Sequence, residues 1–185
     1  MARRPSPEPA GPAHHDAELR DLQDRFVAAW GQMGSVWGIS RTMAEVHALL
    51  YVTGQPLCTD DVMERLQISR GNASMSLRAL LDWGIIARTH KRGDRKEYFV
   101  AEQDVWAMVR AILRERLKRE VNPLLASLYE IREDAPRDGE AIAEHNARLD
   151  ALIEFFETAE SLGQRFAGPA GAGLEKAARL LTRAL

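Results

Sequence analysis

The stretch Ile68-Ser69-Arg70-Gly71-Asn72-Ala73-Ser74-Met75-Ser76-Leu77-Arg78-Ala79-Leu80-Leu81-Asp82-Trp83-Gly84 decides how this chain is read. Placed on a helix at about 100° per residue, Ala73, Leu77, Leu80 and Leu81 gather in one stripe. Gly71, Asn72, Met75 and Arg78 fall opposite, with Ser74 and Ser76 flanking. One face is core. The other is small and polar near the helix start, with a single arginine a turn further on. Ser69 is a good N-cap, and Gly84 suits the left-handed position just past the helix end.

On the C-terminal side, residues 85–90 read as a strand. Lys91 to Arg95 form a turn with Gly93 and Asp94 to make it, and residues 96–100 return as a second strand. On the N-terminal side, Thr59 is expected to cap a short helix carrying Asp60 and Asp61 in its first turn, where the helix dipole favours acids. Val62, Met63 and Leu66 are its buried side. Gly54-Gln55-Pro56 ends an earlier helix that opens at Ser40 and turns Met43, Val46, Leu49 and Leu50 inward. From Asp16, apolar residues at Leu19, Leu22, Phe26, Trp30, Met33 and Trp37 describe one more amphipathic helix. Gly31, Gly34 and Gly38 imply close packing or a break at its far end.

Beyond the hairpin, Val105, Val109, Ile112, Leu113, Leu117, Val121, Leu124, Leu125, Leu128 and Ile131 continue a helical period that Pro123 should kink. A break at residues 135–139 precedes a helix with Ile142, His145, Leu149, Leu152, Ile153 and Phe156 on one face. A Gly/Ala-rich connection is expected over residues 163–173 and a last short helix over 174–185. Residues 1–15 are expected to be a disordered tail, being rich in proline and poor in large apolar groups.

The order helix, short helix, tight turn, helix, hairpin predicts a mainly α chain with one β-hairpin wing. This is a winged helix-turn-helix over residues 40–101, preceded by a helix over 16–39 and followed by long dimerisation helices over 102–185. One winged domain cannot cover the apolar positions of those last helices, so a two-fold homodimer is expected to bury them.

With 185 residues, 28% charged and 45% hydrophobic, the composition is ordinarily globular. One cysteine excludes an internal disulfide framework and multi-cysteine metal sites. No apolar run is long enough for a membrane span, and the basic start has no apolar region behind it, so the expectation is a cytoplasmic protein. The net charge of −2 argues against a general polyanion binder. Its distribution argues the other way. Arg65, Arg70, Arg78, Arg88, Lys91, Arg92, Arg95 and Lys96 face only Asp82, Asp94 and Glu97 over residues 65–100, inside an otherwise acidic chain.

Those residues suit double-stranded DNA. A recognition helix reaches base edges with residues near its N-terminus, so small groups must come first. Gly71 leaves room for backbone approach. Asn72 can pair with adenine and Arg78 with guanine. The Ser69 hydroxyl and the free N–H groups at the helix start suit a phosphate. Arg70, Ser74 and Met75 complete the candidate face. Arg88, Lys91, Arg92, Arg95 and Lys96 make the wing a mainly electrostatic contact to backbone or minor groove.

The run from Ile68 to Arg78, then Leu81-Asp82-Trp83-Gly84-Ile85-Ile86, then Gly93-Asp94-Arg95-Lys96, resembles the GbsR-type branch of the MarR-like transcriptional regulators. Trp30-Gly31 and Gly54-Gln55-Pro56-Leu57 agree with it. The resemblance covers roughly residues 20–130. It implies a homodimeric repressor or activator, released in some members by small ligands such as quaternary amines. A repressor acting by occlusion of a pseudo-palindromic operator is the expectation.

Other readings stay open at this level. A winged helix can instead be a protein–protein module that reads no DNA. Trp30, Trp37, Tyr51 and Trp106 are either core aromatics or the walls of an effector cavity. Cys58, before a helix N-terminus, is either a small buried group or a thiolate sensor. The five histidines lack metal-ligand spacing, and no phosphate-binding, dinucleotide or hydrolase motif is present, so no metal, cofactor or enzymatic activity is expected.

Overall fold

Helix α2, Arg41–Thr53, is the pivot of the N-terminal half, with Val46, Ala48, Leu49 and Leu50 fully buried. The computed structural model describes residues 12–36, 38–136, 139–168 and 171. The chain divides into two units, residues 1–103 and 104–185.

In the first unit, α1 spans Pro12–Val36. It begins four residues before the expected start; a proline is tolerated in a helix's first turn, where its missing N–H has no partner to lose. The remainder of the expected tail, residues 1–11, lies outside the described residues. Gly31 and Gly34 do not end α1. They let it close on α2: a Cβ on Gly34 would stand 2.5 Å from the Ala44 Cβ, and one on Gly31 2.6 Å from Glu45 Cγ.

Gly54, at φ +60°, closes α2. Strand β1 is only Leu57–Cys58, and α3 follows as Thr59–Leu66. The expected cap is displaced by one residue. Cys58 takes the cap position, and its backbone N–H donates to Asp61 Oδ2 at 2.8 Å. Gln67, at φ +53°, carries the tight turn, with its Nε2 donating to the Glu64 carbonyl at 2.6 Å.

Helix α4 spans Arg70–Asp82, and the Ser69 hydroxyl accepts from the Asn72 N–H at 3.2 Å, as expected of that cap. At its far end the Gly84 N–H donates to Leu81 and the Ile85 N–H to Leu80, with Gly84 at φ +70°. That double bond pattern ends a helix sharply and aims the chain into a strand. Strands β2, Ile86–Thr89, and β3, Tyr98–Ala101, form the expected hairpin, with Arg88 opposite Phe99. The sheet has three strands, not two. β1 joins it antiparallel to β3, Leu57 opposite Phe99 and Cys58 opposite Tyr98, in the order β1-β3-β2. Two residues are too few for an alternating pattern to show in sequence. Val62, Ala73, Leu77, Leu80, Ile85, Ile86 and Phe99 complete the core around α2.

The second unit is helical. α5 spans Val105–Arg116 and α6 Asn122–Asp134. The expected kink takes the form of a π-helical turn, Leu117–Val121, in which the Asn122 N–H donates back to the Leu117 carbonyl. Pro123 enters α6 as one of its first residues, where its missing N–H costs nothing. α7 runs Glu140–Ala167. It passes straight through Gly163, where a connection was expected. The reason is packing: a Cβ there would meet Leu117 Cδ1 at 2.6 Å, so the glycine admits the π turn against α7. Leu125, Leu128 and Ile153 form this unit's core, with Val121, Leu149 and Phe156 against them. The helix expected over residues 174–185 lies outside the described residues. No described helix is long and apolar enough to cross a membrane.

Candidate nucleic-acid interface

Helix α4 presents the two faces its sequence implies. Ala73, Leu77 and Leu80 are buried, whereas Gly71, Asn72, Met75 and Arg78 are exposed, Met75 by 58%. Ser74 is half-buried at the edge. Ser76 is buried and belongs to the core side. A groove of about 270 Å³ runs beside the exposed face, lined by Ser40, Thr42, Asn72 and Met75 among others. The Arg78 Nε–H donates to the Ser74 carbonyl at 3.2 Å, laying the guanidinium along its own helix.

The wing is held by its own acid. Asp94 Oδ2 accepts from the Tyr98 hydroxyl at 2.6 Å and Oδ1 from the Lys96 backbone N–H at 2.9 Å, around Gly93 at φ +85°. Those bonds hold the Asp94 carboxyl below the usual range, and the same Asp94 bond pushes the Tyr98 hydroxyl up to about 12. Lys91 Nζ lies over the Tyr98 ring, 4.1 Å from its centre. Arg88 pairs with Glu97 at 3.0 Å across the hairpin. Arg92 and Arg95 are exposed at the tip.

Asp60 lies where α3, α4 and the wing meet. Its Oδ1 accepts from Arg70 Nη2 at 2.5 Å, and its Oδ2 lies 3.2 Å from Lys96 Nζ. Lys96 and Arg70 together hold the Asp60 carboxyl below its ordinary value, and Asp60 in turn raises Lys96. Sequence reasoning assigned Asp60 to the helix dipole alone. Its second role depends on where the hairpin folds back, which no local pattern records.

One cation of the basic segment is elsewhere. Arg65 is largely buried and pinned to α1, 2.9 Å from Asp24 Oδ1 and donating to the Arg20 carbonyl at 3.3 Å. It works as a strut, so the basic footprint is smaller than the linear count suggests.

The aromatic residues are divided. Trp30 stacks on Phe26 with centroids 5.6 Å apart and lies 6.1 Å from the His47 ring; Tyr51 lies 6.2 Å from His47 on the other side. Trp106 belongs to the second unit and meets Phe166 edge-on at 6.2 Å. Trp37 lies outside the described residues. His47 is buried with no hydrogen-bond partner at Nε2, and burial lowers its pKa to about 4. Cys58 is buried.

A capped helix with a polar, partly glycine face, a left-handed turn before it and a basic hairpin after it together define a winged helix-turn-helix of the kind that docks on nucleic acid. The model of the MarR family matches residues 37–97, the stretch that holds the helix-turn-helix and most of the wing. The HTH-type transcriptional repressor GbsR of Bacillus subtilis (strain 168) is 25% identical over 118 residues, covering 64% of this chain and 65% of its own length. The HTH-type transcriptional repressor OpcR of the same organism is 24% identical over 162 residues, 77% of this chain and 88% of that protein. A crystal structure of a transcriptional regulator superposes with a TM-score of 0.63 at 21% identity, over 81% of this chain and 98% of its own, and shares the fold.

Proposed function

We propose that this chain is a sequence-specific DNA-binding transcriptional regulator, a homodimeric repressor that occupies a pseudo-palindromic operator and blocks transcription by occlusion. The observation that carries the reading is the exposed face of α4, Gly71, Asn72, Met75 and Arg78, standing beside a wing whose tip exposes Arg92 and Arg95. Ser69, Arg70, Ser74 and the α4 N–H groups would position the phosphates. Asn72 and Arg78 would read bases, and Met75 would meet a thymine methyl. Arg88, Lys91 and Lys96 would add their charge along the backbone or minor groove. The relatives named as repressors support the sign of regulation.

A single recognition helix specifies too few bases for an operator. Two copies related by a two-fold axis place their α4 helices one DNA turn, about 34–36 Å, apart. Exposed Phe155 and Leu162 on α7, with Leu124 and Ile131 on α6, support the pairing. A small-molecule effector would act by preferring the DNA-incompetent state. The packing of Trp30 and Tyr51 around His47 favours the core role for these two residues over a ligand wall.

Selection of bound fragments from the source genome, followed by titration of the selected duplex across a range of salt, tests the reading. Regulation predicts a selected sequence with two half-sites and an affinity that falls steeply with salt. A protein–protein module predicts neither.

A further inference from the structure

We propose that Asp60 is a charge lock on the DNA-contact surface, holding Arg70 of the recognition helix and Lys96 of the wing on one carboxylate and restraining affinity for DNA of arbitrary sequence. The inference rests on the DNA reading above and adds to it a residue that determines specificity.

The lock is built from three elements. Asp60 lies in the first turn of α3, Arg70 opens α4, and Lys96 stands just before β3. The two carboxylate oxygens are divided between the two cations, at 2.5 and 3.2 Å. The start of α3 does not need Asp60, because Asp61 already accepts the Cys58 N–H. Nor does stability explain the arrangement, since ion pairs this exposed contribute little to folding. What remains is its effect on an approaching polyanion.

A carboxylate facing phosphates repels them, and it partly neutralises two cations that would otherwise release counterions from any duplex. Arg70 and Lys96 nevertheless stay accessible and converge on one anionic point. A phosphate can take over the two cations once their long side chains turn from Asp60. The operator complex, put in register by Asn72 and Arg78, would turn Arg70 and Lys96 from Asp60 onto phosphates and so open the lock. A random duplex, with no base contacts to add, cannot do so equally well.

The test is Asp60→Asn, nearly isosteric, measured by fluorescence anisotropy on the selected operator fragment and on a random-sequence duplex between about 50 and 300 mM salt. The expected result is a random-duplex affinity raised about tenfold at low salt, a salt slope steeper by about one, and a lower operator-to-random ratio. Adding Lys96→Gln to that background should return most of the slope. Asp60→Ser makes the same charge change should the asparagine variant fail to fold. Unchanged random-duplex binding and slope in a folded variant would overturn the lock and leave the DNA reading standing. Equal losses on both duplexes would do the same, by showing Asp60 to be a scaffold alone. Salt-insensitive or absent binding by the unaltered protein would remove the DNA reading, and the lock with it.

Discussion

At the scale of single residues, the chemistry of this protein turns on side chains with two possible partners. Arg78 donates to its own helix at Ser74 when no DNA is present. To read a guanine it must exchange that carbonyl for the base, a trade between comparable hydrogen bonds that the bidentate geometry favours. Arg78→Ala should therefore weaken operator binding by about 1–3 kcal/mol and relax one base preference, while random-duplex binding falls less, by the loss of one charge; binding titrations against single-base operator variants and a random duplex measure both. His47 is the opposite case, a titratable group with no hydrogen-bond partner at Nε2. Folding lowers its pKa from 6.5 to about 4, so the unfolded chain binds a proton that the folded chain refuses. Its contribution to stability is complete above pH 6.5 and is lost as pH falls from there towards 4, by up to about 3 kcal/mol. Urea midpoints measured from pH 8 to pH 4 should show that loss in the unaltered protein and a flatter profile in His47→Leu.

At the scale of elements, small residues set the distances between helices. α1 lies close to α2 because Gly34 faces Ala44, whose Cβ is fixed to the backbone and cannot move aside. Gly34→Ala gains about 1 kcal/mol of helix propensity but forces the two helices apart. The expected outcome is a net loss of about 1 kcal/mol or more, read as a lower thermal midpoint. Gly31→Ala should cost less, because its obstacle is the Glu45 side chain, which can swing away at the expense of the exposed Arg41–Glu45 pair at 2.8 Å. If the two substitutions proved equally costly, close α1–α2 approach would not be what the Gly34 position protects. The same logic explains Gly163 against Leu117, where a glycine read as a helix breaker serves as a packing seat.

For the whole molecule, the choice of partner turns on uncovered apolar surface. Phe155 and Leu162 lie seven residues apart on α7, 62% and 61% exposed, and Leu124 and Ile131 are likewise spaced on α6. In the proposed homodimer, a second copy covering these stripes would supply the second recognition helix. Phe155→Glu together with Leu162→Glu should turn a dimer into a folded monomer by light scattering. Operator affinity should then fall far more than random-duplex affinity, since only the operator uses both half-sites. A double variant that stays dimeric with full operator affinity would place the dimer contact elsewhere.

What the sequence by itself determined is whatever is local. The cap at Ser69, the glycine stop at Gly84, the inward stripe of Ala73, Leu77 and Leu80, and the basic hairpin around Gly93 all follow from turn chemistry and from periods of a few residues. Those features were enough to define a winged helix-turn-helix and to pick out the face of α4. Tertiary structure alone decided the rest. It paired β1 with β3, gave Arg65 to α1, ran α7 through Gly163 and set Asp60 between Arg70 and Lys96. Each of these depends on groups distant in sequence arriving at one point. A local pattern carries no record of that meeting, because only the closure of each unit's own core brings those groups together.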